Sequence, residues 1–182
     1  LNATSVVSGV VPQISVIAGT CAGTAALLAC SSDFVIVTKE SEFFAAPNSS
    51  KGSAQAAAES GIAAAVCDDD KAAIEKARDL VNILPVNNLA PVPMFEFADA
   101  APSASGDYKA VISSVADADS EIELYAEFGT EAYTGFVTVG GSTVGVAYAG
   151  KNSGKLTSDD CMKLARFVRT CDAFSIPVVS FV

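Results

Sequence analysis

The chain has 182 residues, of which 51% are hydrophobic and 18% are charged, so it is long enough to bury a sizeable core. Its formal net charge is −10 and it contains no histidine. The acidic balance argues against a nucleic-acid-binding protein. The lack of histidine excludes Cys–His catalysis within this chain and argues against a zinc site, so we expect no metal. No uninterrupted apolar run reaches the ~20 residues that span a bilayer, so we expect no membrane insertion.

The first half of the chain alternates predicted strands and helices. Apolar, β-prone segments predict strands at residues 11–18, 33–38, 42–45 and 62–67. Alanine-rich segments predict helices at residues 22–30 and 53–60. A third helix begins at three consecutive acids, residues 68–70, and ends before Pro85. These acids resemble a metal cluster, but capping of the helix start is the favoured interpretation. One face of this helix is predicted to be buried, made of Ala73, Ala77, Leu80, Val81 and Leu84.

A proline-rich stretch over residues 85–107 predicts a linker and a domain boundary. A helix at residues 107–115 and a strand at residues 121–127 follow it. Residues 136–147 predict a β-hairpin that turns at Gly140 and Gly141. The last helix is predicted to be N-capped by Ser158, and residues 176–182 predict a final strand. The predicted buried face of that helix consists of Cys161, Leu164, Ala165, Val168, Cys171 and Phe174.

Five cysteines occupy positions 21, 30, 67, 161 and 171, and no pair has C-x-x-C spacing. Each lies in an apolar segment, which predicts reduced, buried thiols and a cytoplasmic protein. Cys21 differs from the others because it lies in a glycine turn, where packing is favoured over a chemical role. Arg166 and Arg169 could anchor a phosphate, but solvated or ion-paired side chains are the favoured interpretation.

The glycine turn at residues 19–24 connects the first predicted strand to an alanine-rich helix. The start of a helix leaves backbone N–H groups without intrahelical partners, and such groups can stabilise an oxyanion. The alternative is a tight strand-to-helix connection that binds no ligand. The residues alone leave both interpretations open.

Several segments resemble, in the same order, the carboxyltransferase component of biotin-dependent acyl-CoA carboxylases and decarboxylases. The longest are Val11-Pro-Gln-Ile-Ser-Val-Ile17, Gly19-Thr-Cys-Ala-Gly23, Leu84-Pro-Val-Asn-Asn88, Gly141-Ser-Thr-Val-Gly145 and Ala165-Arg-Phe-Val-Arg-Thr-Cys-Asp-Ala-Phe-Ser-Ile-Pro177. The resemblance implies an α/β, crotonase-like β-β-α superhelix comprising parts of two tandem domains. Residues 1–88 would be the later part of the N-terminal acyl-CoA domain, residues 89–106 the linker, and residues 107–182 the beginning of the C-terminal biotin domain.

The implied reaction moves a carboxyl group between carboxybiotin and the α-carbon of an acyl-CoA. The resemblance assigns the catalytic N–H groups to Gly23 and Thr24 and the substrate-binding positions to Ala22 and Cys21. Biotin would arrive on a carrier domain in another chain. The implied partners are a biotin carboxyl carrier, a biotin carboxylase or decarboxylase subunits, and further copies of this chain.

Two alternatives remain. A non-catalytic or truncated relative would keep the fold and act as an assembly subunit. It is favoured by Thr24, where the family has glycine, and by the short loop at residues 47–53. A different crotonase-fold enzyme, such as a hydratase, would add a paired glutamate acid/base. No acidic residue lies in the glycine turn, which argues against that chemistry.

Overall fold

The computed structural model describes residues 2–44, 46, 52–97, 107–152 and 154–182. The first half begins with helix α1 (Asn2–Val6) and then repeats a strand-strand-helix unit. The first unit is β1 (Ile14–Ile17), β2 (Thr20–Ala22) and α2 (Thr24–Cys30). The second is β3 (Phe34–Thr38), β4 (Glu42–Phe44) and α3 (Ala54–Glu59). Strand β5 (Ala65–Cys67) and helix α4 (Asp70–Ile83) follow.

The two strands of each unit enter different sheets. Strands β1, β3 and β5 form a parallel three-stranded sheet, whereas β2 and β4 form a separate parallel pair. The chain therefore winds as a β-β-α superhelix, the α/β architecture that the resemblance implies. Strand β3 is buried along its whole length, as expected for a central strand covered on both faces.

The second half forms one mixed sheet with helices packed against it. Its elements are α5 (Tyr108–Val115), β6 (Ile122–Leu124), β7 (Ala132–Val139), β8 (Ser142–Ala149), α6 (Ser158–Ala173) and β9 (Val178–Phe181). Strands β6, β7 and β8 are antiparallel neighbours, and β9 returns parallel to β8 after α6. The predicted hairpin is confirmed, with Val139 opposite Ser142 across the Gly140-Gly141 turn.

One hydrophobic core contains residues from both halves. The rings of Phe34 on β3 and Phe136 on β7 meet edge to face, with centroids 5.9 Å apart. Thr143 on β8 donates a 2.8 Å hydrogen bond to the carbonyl of Ile83 at the end of α4. The core comprises Phe34, Ile36, Ala64, Ala73, Leu80, Ile83, Leu84, Leu124, Tyr125, Phe136, Phe167, Cys171, Phe174 and Ile176.

The predicted linker packs in part against the second half. The Phe95 N–H donates a 2.8 Å hydrogen bond to the Gly141 carbonyl, and Met94 pairs with Ser142. Residues 98–106 of that linker lie outside the described residues, as does most of the loop at 47–53. Of the helices that the structure describes, none combines the length and apolar character needed to cross a bilayer.

Several predicted details are wrong. Ala22 belongs to strand β2 rather than to the following helix, because Gly23 adopts a positive φ of 60° and separates the two elements. Helix α6 is capped by Thr157, one residue before Ser158. Thr157 and Asp160 form a reciprocal capping box.

The predicted buried faces of α4 and α6 are also partly wrong. Val81 on α4 is 65% exposed, and Ile83 is buried instead. On α6, three residues of the predicted buried face are exposed, namely Cys161, Ala165 and Val168. The buried residues of this helix are Asp160, Lys163, Phe167 and Cys171. All five cysteines are free thiols, but Cys30 and Cys161 are exposed, which contradicts the prediction that they are buried.

Candidate functional site

The glycine turn connects the end of β2 to the start of α2. Gly23 is the N-cap of α2, with φ 60° and ψ −128°, a conformation that glycine adopts far more readily than residues with a side chain. A Cβ placed on Gly23 would have no atom of the described residues within 4 Å, so the space beside the turn is open. Thr24 is the first helical residue, and its N–H therefore has no intrahelical acceptor.

The four site residues predicted from the sequence are adjacent, but three of them are exposed to solvent and one faces the core. Ala22, Gly23 and Thr24 are all exposed, so a ligand can reach the backbone of the turn. Cys21 points to the other side of β2 and packs against a core cluster of the first half. Burial raises the pKa of the Cys21 thiol above its ordinary value, with the nearby Cys30 acting in the same direction. Cys21 is therefore a packing side chain behind the turn.

An acidic residue beside the turn was missed from the sequence. Strand β4 pairs with β2 so that Glu42 lies opposite Thr20. The Thr20 hydroxyl donates a 3.0 Å hydrogen bond to the Glu42 carboxylate, and both residues are exposed. The two positions are 22 residues apart in the chain. Only the parallel pairing of β2 with β4 could have predicted this contact.

The three acids at the start of α4 have structural roles. Asp69 is the N-cap and accepts a 2.8 Å hydrogen bond from the Ala72 N–H. Asp68 forms an ion pair with Lys39 at the end of β3. Within the described ranges, no group of three or more His, Cys, Asp or Glu side chains could hold a metal ion.

Two clefts open away from the glycine turn. One, of about 410 Å³, lies between α4 and β6 and includes the acidic side chains of Glu75, Asp79, Glu123 and Glu127. The other, of about 460 Å³, is mainly apolar and lies between α6 and the turn after α3. Residues 21–24 line neither cleft. The turn is thus an open surface of this chain, and a ligand bound there would need a further surface to exclude water.

Comparisons with known proteins agree with this architecture. The propionyl-CoA carboxylase beta chain of Cereibacter sphaeroides is 32% identical over 206 residues, an alignment that covers 96% of this chain and 40% of that protein. The methylmalonyl-CoA carboxyltransferase 12S subunit of Propionibacterium freudenreichii subsp. shermanii is 34% identical over 204 residues, covering 96% of this chain and 39% of that protein. The chain thus spans about 40% of the length of these relatives.

A solved structure of the transcarboxylase 12S hexamer, with hydrolysed methylmalonyl-coenzyme A bound, superposes with a TM-score of 0.91 at 31% identity. The superposition covers 100% of this chain and 42% of the transcarboxylase chain. The fold is therefore the crotonase-like fold of carboxyltransferases. The family model for the carboxyl transferase domain matches residues 1–182, and the chain belongs to that family.

Proposed function

We propose that this chain is part of a carboxyltransferase that moves a carboxyl group between carboxybiotin and the α-carbon of an acyl-CoA. The observation that carries the proposal is the turn at Gly23 and Thr24, which exposes backbone N–H groups in a chain matched over its whole length by the carboxyl transferase domain. Removal of the α-proton, or of the α-carboxylate, places negative charge on the thioester oxygen as an enolate. Backbone N–H groups aimed at that oxygen stabilise it without a charged side chain.

The roles of the neighbouring residues follow from their placement. Gly23 leaves open the space that the thioester carbonyl needs, and the Gly23 and Thr24 N–H groups hold its oxygen. The small side chain of Ala22 leaves room for the acyl group, while Cys21 supports β2 from the core side. When bound nearby, carboxybiotin supplies the carboxyl group.

The exposed position of the turn supports an assembly of several subunits. A second copy of this chain would cover the turn and exclude water, which strengthens hydrogen bonds to the enolate. Biotin would be carried by a domain of another chain, delivered by carboxylase or decarboxylase subunits in the cytoplasm. We retain residues 1–88 as the acyl-CoA portion, residues 89–106 as the linker and residues 107–182 as the biotin portion of this proposal.

The test removes one N–H group while leaving the helix intact. Proline is well tolerated at the first helical position and lacks only the donor, so Thr24→Pro probes the proposed oxyanion contact. Thr24→Ala is the matched control because it keeps the N–H. In the assembled full-length protein, we expect Thr24→Pro to lower kcat for carboxyl transfer to propionyl-CoA by ~100-fold or more. Equal kcat values for the two variants would overturn the assignment.

The second candidate is a non-catalytic assembly subunit, and it is favoured by the β-branched Thr24 beside the approach to the turn. Wild-type protein that assembles with its carrier and carboxylase partners but transfers no carboxyl group to any acyl-CoA would establish this alternative. Thr24→Gly then becomes informative, because restored transfer would identify the threonine side chain as the obstacle.

A further inference from the structure

The apolar cleft of about 460 Å³ lies between helix α6 of the second half and the turn after α3 of the first half. Ile62 and Phe128 are half-buried along it, and Met162 and Ala165 of α6 are exposed there. Small-molecule sites have volumes of ~300–1,000 Å³ and are mostly apolar, with a few polar groups that orient the ligand. The cleft therefore has the size and the apolar walls that a short aliphatic chain needs.

The charged side chains that line this cleft are cations. They are Lys163, Arg166 and Arg169, and no Asp or Glu is among the described residues that line it. The chain as a whole has 21 acidic residues against 11 basic ones, so this charge is opposite in sign to that of the protein. A local cluster of cations attracts an anionic ligand even where the net charge of the protein is negative.

Arg169 is the cation that can bind a ligand directly. Lys163 is buried and donates to a backbone carbonyl of β7, and Arg166 donates to the Gly61 carbonyl. Arg169 is exposed, and its hydrogen bond to the Ala165 carbonyl at 3.2 Å uses Nε. The two terminal nitrogens of this guanidinium can then donate side by side to the two oxygens of a carboxylate. One guanidinium balances the single charge of a carboxylate better than the double charge of a phosphate group.

We propose that this cleft binds the anion of a free aliphatic carboxylic acid, with its chain against Ile62, Phe128 and Met162 and its carboxylate at Arg169. The walls belong to different halves of the chain, so a bound acid contacts both α6 and the turn after α3. Residues 21–24 do not line the cleft. The inference goes beyond the proposed function and does not depend on it.

The experiment titrates octanoate into the assembled full-length protein and measures the Kd by isothermal titration calorimetry. We expect Arg169→Met to raise the Kd about tenfold, because the charge-assisted hydrogen bonds to the carboxylate are lost. Arg78→Met is the matched control, since Arg78 is exposed on α4 and does not line the cleft. Octanol has the chain without the charge and acetate has the charge without the chain, so both should bind about tenfold more weakly or less tightly still.

Two further measurements show whether octanoate occupies this cleft. Ala165→Phe adds a ring to the cleft at an exposed helical position and should abolish binding, whereas Val168→Phe adds the same ring outside the lining and should not. Cys161 lines the cleft and is an exposed free thiol, so octanoate should slow its alkylation by iodoacetamide. Cys30 is the internal reference, because it is also exposed but does not line the cleft.

An octanoate Kd that is equal in the wild type and Arg169→Met overturns the proposal, as does octanol that binds as tightly as octanoate. Binding that persists unchanged in Ala165→Phe, or alkylation slowed equally at Cys161 and Cys30, places octanoate elsewhere and overturns it too. A wild type that binds no octanoate has the same consequence. None of these results affects the proposed carboxyl transfer, which is tested separately by comparing Thr24→Pro with Thr24→Ala.

Discussion

Arg166 on α6 donates a 3.0 Å hydrogen bond from Nη1 to the carbonyl of Gly61, which follows α3. Its guanidinium also lies 5.2 Å from the ring centroid of Tyr125, just after β6. Tyr125 in turn donates its N–H to the Ala64 carbonyl at 2.8 Å. Arg166 therefore bonds directly to the first half at Gly61 and also contacts Tyr125, whose own N–H bonds to the first half at Ala64. These contacts make Arg166 a structural residue here rather than a phosphate anchor.

Replacing Arg166 with Met should lower the free energy of unfolding by about 1–2 kcal/mol. The variant keeps the aliphatic stem but loses the hydrogen bond to Gly61 and the cation–π contact with Tyr125. Arg169→Met is the matched control, since Arg169 is exposed and its hydrogen bond goes to the Ala165 carbonyl of its own helix rather than to another element. Urea unfolding measures both variants, and equal losses would contradict a linking role for Arg166.

Lys163 predicts a pH dependence of stability on the alkaline side. Its Nζ donates a 2.8 Å hydrogen bond to the Ala132 carbonyl, and burial lowers the pKa of Lys163 to about 8, with Lys151 acting in the same direction. The unfolded side chain keeps its ordinary pKa of about 10.5. Between these values the unfolded chain binds more protons than the folded chain, so rising pH increases the free energy of unfolding.

The variant Lys163→Met removes this titration. The unfolding free energy of the wild type should therefore increase, relative to that of Lys163→Met, as the pH rises from about 8 to about 10.5. Urea titrations at several pH values in that window measure it, with the exposed Lys109→Met as the control. If the wild type gains no stability relative to Lys163→Met over this pH range, Lys163 does not titrate in this way.

Asp160 predicts the opposite, acid-side dependence. Its buried carboxylate accepts hydrogen bonds from the N–H groups of Glu131 and Ala132, both at 3.0 Å, and from the Thr157 N–H at 2.7 Å. Burial alone would raise the pKa of Asp160, but these bonds and the Thr157 hydroxyl outweigh it, so the pKa is below its ordinary value. The stabilisation is present above the unfolded pKa and is lost as pH falls through the folded one.

Asp160→Asn should lower the unfolding free energy by about 2–3 kcal/mol at pH 7. The amide has one oxygen in place of two, so its NH₂ group would face backbone N–H groups that now donate to the carboxylate. The difference in unfolding free energy between the wild type and Asp160→Asn should become smaller as acid protonates the wild-type carboxylate. Asp159→Asn, one residue earlier and exposed, is the control and should change stability little. If this difference is the same in acid as at pH 7, the charge of Asp160 does not contribute to stability.

Local chemistry explains which elements could be predicted from the sequence. The Gly140-Gly141 turn was predictable because both residues adopt positive φ, which glycine tolerates and a two-residue hairpin requires. The predicted starts of two helices, at Ser53 and Asp107, coincide with the observed N-caps. Each of these side chains accepts a hydrogen bond from an N–H group in the first turn. These features depend on neighbours in the chain.

Features set by distant contacts were not predictable. The buried face of α6 was assigned from apolar spacing, but Asp160 and Lys163 are buried because both bond the backbone of Ala132, the first residue of β7. The Thr20–Glu42 contact depends on the pairing of two three-residue strands, whose length gives no clear alternation. Sequence reasoning therefore located the glycine turn but not the carboxylate beside it.

Gly145 on β8 lies so close to Cys171 on α6 that the two positions should be energetically coupled. A Cβ on Gly145 would be 2.7 Å from the Cys171 Sγ and 3.2 Å from the Phe167 ring. Gly145→Ala should therefore cost about 1–3 kcal/mol through overpacking. Cys171→Ala removes the sulfur, so the double variant should lose less stability than the sum of the two single variants.

Gly140→Ala supplies the control for this double-mutant cycle. A Cβ at Gly140 would meet no atom of the described residues within 4 Å, but its φ of +58° strains any side chain through the backbone. Cys171→Ala cannot relieve that strain, so the effects of Gly140→Ala and Cys171→Ala should add. Additivity in the Gly145 cycle as well would show that the cost at Gly145 arises elsewhere than at the sulfur. Coupling at Gly145 but not at Gly140 would show that the cost of Gly145→Ala arises from the contact with the Cys171 sulfur.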